Sequence, residues 1–298
     1  LLITKEEGLK AQKIEFKSAQ GTPIAEVLDS VDQNWFAEEQ ELITGAGIAV
    51  PTHKALVRSD TNGVIGVVGN RYEPVQMSDA FAFLDALVTA HEATYQYMYL
   101  VDGGSKVIVQ AKIGAGQFEV RKGDAIDSYI TMINSFNGTT PFRAFFTPKR
   151  LFCLNQLVAA LRKATACVSI RHTKTLMEKA EEAQKTFGLA KKYFDEFKIT
   201  AKALAQKSID AKMVDLFLAQ CMGEAESTRK TNQHDAVKEL VDHGLGNNGS
   251  SVWDLYNGVT EYVDHHASKD EEKRMASALV GAGYGLKARA WDSAISLL

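Results

Sequence analysis

The sequence predicts an α+β protein: an antiparallel sheet with packed helices in the order β-β-α-β-β-β-β-α, then a long helix and a helical C-terminal region. Two patterns carry this. Short β-rich runs separated by Asn-Gly or Gly-Gly turns crowd residues 46–175, and from Thr175 onward apolar residues recur at helical spacing. The 298 residues are 45% hydrophobic and 24% charged. This balance excludes disordered, collagen-like and disulfide-scaffold classes. By pattern the chain divides into an acidic lead-in (1–45), an α+β core with a basic, aromatic block (46–175) and a helical region (176–298).

The lead-in reads as helical or irregular. Ala55–Arg58 and Val64–Val68, joined through Asp60-Thr61-Asn62-Gly63, form the first expected hairpin. Ser78 then caps a helix whose apolar stripe runs through Phe81, Leu84, Ala86, Leu87 and Val88. A second hairpin pairs Tyr95–Val101 with Lys106–Lys112 around Asp102-Gly103-Gly104-Ser105. A two-residue or a four-residue loop gives the same register, in which opposed residue numbers sum to 207. Leu100/Val107, Met98/Val109 and Gln96/Ala111 then make a core side. The other side carries Tyr95, Tyr97 and Tyr99 with Lys106 and Lys112, and it is either open or covered by a helix or neighbouring subunit.

Strands follow at Asp127–Ser135 and Thr140–Thr147, then a helix at Cys153–Lys163 and a strand at Cys167–Ile170. Alternation in the second strand puts Phe142, Ala144 and Phe146 in the core, with Arg143, Phe145 and Thr147 opposite and Lys149 following. The capping box at Thr175–Glu178 opens a helix whose seam runs from Leu176 through Phe187, Phe194, Phe197 and Ala201 to Leu204. Helices are expected at 210–222, 235–243, 252–265 and 271–291.

Three widely spaced cysteines, Cys153, Cys167 and Cys221, suit reduced thiols in a cytoplasmic setting. No run of 18 apolar residues occurs, so no membrane contact is expected. LLITKEEGLK lacks a basic region followed by an apolar one, so no secretory signal is expected. The net charge of −3 hides an asymmetry. Residues 141–180 hold Arg143, Lys149, Arg150, Arg162, Lys163, Arg171, Lys174 and Lys179 against Glu178 alone, a balance of +7 inside an acidic chain. Concentrated charge of one sign suits a polyanion site.

Enzyme signatures are missing. There is no P-loop, no dinucleotide fingerprint, no nucleophile elbow, and the histidine pattern of a zinc protease is absent after His91-Glu92. Adjacent His265 and His266 would point about 100° apart on a helix, so they suit a solvated helix end better than a metal. No catalytic residue, cofactor or metal is therefore assigned. What remains is PFRAFFTPKRLF, where Phe142, Phe145, Phe146 and Phe152 alternate with Arg143, Lys149 and Arg150, followed by Arg162-Lys163 and Arg171-His172-Thr173-Lys174. Single-stranded nucleic acid needs cations for its phosphates and flat side chains for its bases. The Tyr95/Tyr97/Tyr99 face with Lys106 and Lys112 offers the same combination on a sheet.

RSDTNGVIGVVGNRYEPVQ (58–76), NSFNGTTPFRAFFTPKRLFCLNQL (134–157), SIRHT (169–173) and TEYVDHH (260–266) together resemble the phage/plasmid-like protein family, domain of unknown function 932. The resemblance implies a protein carried by phages, plasmids and their bacterial hosts, and it brings no assigned activity. The order of elements is also similar to the core of Rad52-type single-strand annealing proteins, an analogy of fold alone. The expectation is a non-enzymatic single-stranded DNA- or RNA-binding protein of the bacterial cytoplasm, acting in annealing, recombination or replication. It would assemble as a homo-oligomeric ring or filament, with the 176–204 seam as one contact. The alternative is a non-catalytic assembly protein whose basic block docks an acidic partner.

Overall fold

A computed structural model describes residues 10–77, 93–114, 117–150, 167–170 and 190–298, with Asp79, Ala80, Asp85 and Val88 between the first two stretches. The fold is α+β. The strands are β1 (Ala11–Glu15), β2 (Ala37–Ile43), β3 (Ala49–Arg58), β4 (Val64–Gly69), β5 (Ala93–Val101), β6 (Lys106–Ile113), β7 (Phe118–Glu119), β8 (Ala125–Ser135), β9 (Phe142–Arg150) and β10 (Cys167–Ile170). One sheet runs β1-β5-β6-β8-β9-β10 with β7 attached to β8, and a smaller one runs β2-β3-β4. Two compact units are drawn from interleaved stretches: 1–115, 130–146 and 164–189 form the first, and 116–129, 147–163 and 190–298 the second.

The lead-in is more ordered than its composition suggests. It supplies β1, a six-residue helix α1 (Ile24–Asp29) and β2. Glutamate is a poor strand former, yet Ala37-Glu-Glu-Gln-Glu is held extended by pairing with β3, from Ala37 opposite Arg58 to Glu41 opposite Lys54. The first expected hairpin forms as β3 and β4, with Asn62 of the turn at φ 55°. Gly66 lies so close to the next layer that a Cβ there would sit 2.2 Å from the Phe136 carbonyl oxygen. Tyr72 donates to the Ser135 carbonyl, and Asn134 Nδ2 to that of Val75 at 2.8 Å. The 66–75 and 134–137 segments are thus held against each other, backbone to backbone at Gly66.

Arg58 is buried with its guanidinium 4.4 Å from the Trp35 ring. It donates to the Gly103 carbonyl at 2.8 Å and to Asp60 at 2.9 and 2.5 Å, which holds the Asp60 carboxyl below the usual range. Gly104, at φ 108°, lies beneath Trp35, where a Cβ would meet the indole at 3.0 Å.

The helical second unit contains α2 (Ala190–Gln206), α3 (Ala211–Met222), α4 (Thr228–His243), α5 (Val252–Glu261), a π-turn (Tyr262–His266), α6 (Glu271–Val280) and α7 (Ala282–Ser296). Side chains of Asp210, Ser227 and Asp270 cap α3, α4 and α6, and Ser251 with Asp254 forms a capping box on α5. Gly281 splits the helix expected over 271–291. The core is aromatic: Phe197 stacks on Trp291 at 5.2 Å, and Trp253 and Tyr256 pack around them. Phe194, Phe197, Ala201 and Leu204, the described part of the long seam, are buried in this unit. That part is consumed by the chain's own core and offers no self-association surface. No helix among the described residues is long and apolar enough to cross a membrane.

Candidate functional site

Between β5 and β6 the expected register holds from Val101/Lys106 to Tyr97/Gln110, and then a bulge intervenes. Beyond it Tyr95 faces Ala111 and Thr94 faces Lys112, so the pairings Gln96/Ala111 and Tyr95/Lys112 are corrected by one residue. Because side chains alternate faces, the extra residue moves Tyr95 to the core side. There it is buried and donates to Asp85 Oδ1 at 2.6 Å, an oxygen that also accepts from the Ile24 amide at 2.9 Å. Burial pushes the Tyr95 hydroxyl far up, and the neighbouring Asp85 carboxylate adds to this. It cannot stack on a base there.

Tyr99 is also buried, with its hydroxyl 3.4 Å from Gln110 Oε1, and Gln110 donates to Thr131 Oγ1 at 3.1 Å. Tyr97 is half-buried. Lys13 of the edge strand β1 places its ammonium 4.4 Å from the Tyr97 ring centroid and also pairs with Glu15 at 2.5 Å. Lys112 lies two residues beyond Gln110 on the same face of β6 and is half-buried. Lys106 is buried, and desolvation lowers the pKa of its ammonium. The structure thus sets Lys13 over Tyr97 with Lys112 on the same sheet face, and withdraws Tyr95, Tyr99 and Lys106 from the surface. In β9, Arg143 is half-buried opposite Ser169, and Phe145 is buried opposite Cys167.

Lys149 and Arg150 do not line a surface. Lys149 is buried with its ammonium 5.4 Å from the Tyr129 ring centroid. Arg150 is fully buried: its Nε and Nη2 donate to the two oxygens of Asp124 at 2.5 and 2.9 Å. Nη2 also donates to the Gly246 carbonyl at 2.8 Å, and Nη1 to Asn247 Oδ1 at 3.1 Å. Trp253 Nε1 donates to Asp124 Oδ2 at 2.8 Å. Arg121 extends the network to the buried Asp254 at 2.5 Å and to the Gly246 carbonyl at 2.5 Å. The charges of Arg150, Arg121, Asp124 and Asp254 are each met by an opposite charge and by hydrogen bonds, as burial requires. The assignment of Arg150 and Lys149 to phosphate contact is therefore corrected. A run of arginines and phenylalanines does not distinguish a cation facing water from one facing a buried carboxylate 26 residues away and a loop 96 residues away.

Arg162, Lys163, Arg171, His172 and Lys174 lie outside the described residues, as do the 153–163 helix and the start of the long seam. His265 and His266 are exposed on the π-turn with rings inclined by 76°. The preceding Asp264 accepts from the buried Lys287 at 2.8 Å. Among the described residues no group of three or more His, Cys, Asp or Glu could hold a metal ion. Cys221 is buried, and burial pushes its thiol up to about 12. Two residues were missed by sequence reasoning, Lys13 at the surface and Asp124 in the core. No period-two alternation marks Ala11–Glu15 as a strand, and Lys13 takes its place from the pairing of β1 with β5.

No curated protein and no solved structure matches the chain. The profile of domain of unknown function 932 matches residues 64–281. That span runs from β4 through the Gly66–Phe136 contact and the Arg150–Asp124 network to the start of α7, and the chain belongs to the domain of unknown function 932 family.

Proposed function

We propose that the protein binds single-stranded nucleic acid without catalysing a reaction, using Tyr97 as a stacking platform and Lys13, Lys112 and Arg143 as phosphate contacts. The observation that carries this reading is the half-buried Tyr97 ring with Lys13 at 4.4 Å and Lys112 on the same sheet face. A flat aromatic beside cations is what a flexible polyanion with stackable bases requires. Arg162, Lys163, Arg171, His172 and Lys174 add charge of the same sign by sequence. The role that fits such binding is an accessory one in annealing, recombination or replication of a phage or plasmid.

The test is fluorescence anisotropy of labelled oligo-dT and oligo-rU titrated with the full chain at about 50 and 200 mM salt, the range over which phosphate contacts lose most affinity. Binding should weaken steeply with salt. Tyr97→Ala should cost about tenfold, since stacking on one base contributes roughly 1–3 kcal/mol. Lys13→Ala with Lys112→Ala should flatten the salt dependence. No binding at about 50 mM salt, or binding indifferent to all three substitutions, would overturn the proposal.

A further inference from the structure

The small sheet ends in the acidic edge strand β2. From Ser18 to His53 the chain has six acidic residues, Glu26, Asp29, Asp32, Glu38, Glu39 and Glu41, and no Lys or Arg. Three of them lie on β2, an edge strand of the β2-β3-β4 sheet. Glu39 pairs with Lys54 of β3 at 2.7 Å, while Glu38 and Glu41 make no ion pair among the described residues. Exposed apolar side chains bracket this acidic stretch: Phe36, 54% exposed, precedes it, and Ile43 and Ile48, 59% and 65% exposed, follow at the hairpin tip.

The backbone of this edge is where a partner would bond. In an antiparallel pair alternate residues turn their N–H and C=O toward the partner strand and away from it. Phe36 accepts from the Ser59 amide, so Phe36, Glu38 and Gln40 face β3, and Ala37, Glu39 and Glu41 face outward. The outward groups of Ala37 are both taken by one side-chain amide. Gln76 Nε2 donates to the Ala37 carbonyl, and the Ala37 amide donates to Gln76 Oε1, each at 2.9 Å. A carboxamide has the donor and acceptor pattern of a peptide unit, so Gln76 fills the first rung of a missing strand. The next two rungs, at Glu39 and Glu41, have no such partner among the described residues.

We infer that β2 is a docking edge for an extended, lysine- or arginine-rich polypeptide segment, added as a fourth strand beside Glu39 and Glu41. Strand addition takes affinity from main-chain bonds and selectivity from the side chains alongside. Glu38 and Glu41 lie on opposite faces of β2 and each favours a cation on its own side, and Phe36 and Ile43 select an apolar residue near each end. A second copy of this edge is disfavoured, because Glu would meet Glu across the pair.

The probe is the fluorescein-labelled peptide VKTKTKV, titrated by anisotropy against the full chain. Three comparisons accompany it: VETETEV, VKTKTKV with alternate backbone nitrogens methylated, and the Glu41→Pro protein. Proline at 41 removes the outward N–H together with the carboxylate and leaves the bonds to β3 in place, so pairing with β3 is retained, and circular dichroism checks this. VKTKTKV should bind, and VETETEV should not. Backbone methylation and Glu41→Pro should each weaken binding about tenfold or more, the factor that corresponds to 1.4 kcal/mol. Equal binding of the methylated peptide would reduce the edge to non-specific charge attraction and overturn the proposal. So would failure of VKTKTKV to bind, or a dimer in sedimentation that Glu41→Pro dissolves. Failure of nucleic-acid binding leaves this result unaffected, because the two sites attract opposite charges.

Discussion

Replacing Arg150 separates a structural arginine from a phosphate-binding one. Arg150→Met keeps most of the side-chain volume and removes the charge. Asp124 then stays buried with only the Trp253 indole at 2.8 Å and the Arg121 Nε at 3.7 Å, and the Gly246 carbonyl and the Asn247 side chain each lose a donor. Removing one partner of a buried ion pair costs about 3–5 kcal/mol, because the other charge is left uncompensated. With a urea slope of about 2 kcal/mol per M, the midpoint should fall by about 2 M. Tryptophan fluorescence reports it well, since Trp253 and Trp291 both lie in the second unit's core. Asp124→Leu combined with Arg150→Met should cost less than the two single substitutions added, with a coupling of about 1–3 kcal/mol. If Arg150→Met unfolds within about 0.5 kcal/mol of the parent yet loses oligo-dT binding, the guanidinium works at the surface and the reasoning fails.

In the first unit, Gly66→Ala would place a methyl group 2.2 Å from the Phe136 carbonyl oxygen and 2.9 Å from Asn137 Cα. Both are backbone atoms and cannot rotate away, so the cost should reach the upper end of the roughly 1–3 kcal/mol typical of overpacking, read as a lower melting temperature; an unchanged value would show that the strand can move. Asp60 tests the Arg58 clasp through pH. Its folded pKa is lowered chiefly by the Arg58 hydrogen bond, so its contribution is present above the ordinary aspartate range, near pH 4, and disappears as pH falls through the folded value. Asp60→Asn should therefore destabilise the protein at pH 7, and its gap to the parent should narrow as the pH falls below the ordinary aspartate range. A gap that stays constant across that range would remove the charge from the explanation.

Elements with a local signal were legible in the sequence. The Asn-Gly and Gly-Gly turns located two hairpins, and Phe142 and Phe146 of β9 are buried as alternation predicts, but Phe145 and Thr147 on its other face are buried as well, which withdraws Phe145 from base stacking. β1 and β2 were not legible, because polar strands at sheet edges owe their extension to their partners. The bulge beyond Tyr97 was invisible for a related reason. Nothing in Tyr-Gln-Tyr marks an extra residue, and one residue decides which face Tyr95 takes. Of the candidate site, Tyr97 and Lys112 were placed on a shared face correctly. Lys149 and Arg150 were not, since their burial depends on Tyr129 and Asp124 of another strand and turn and on Gly246, 96 residues from Arg150.

The Asp124–Arg150–Trp253 network also fixes an order of events for a chain made from its N-terminus. The Trp253–Asp124 bond spans 129 residues and the Arg150–Gly246 bond 96. During synthesis, Arg121, Asp124 and Arg150 emerge long before Gly246, Asn247, Trp253 and Asp254. Until then their charges remain in water, and contacts of such sequence separation form late. The second unit is therefore completed from its far end. The glycine-rich stretch after α4 acts as the closing piece, and a chain cut off before it keeps its arginines without the loop they were placed to hold.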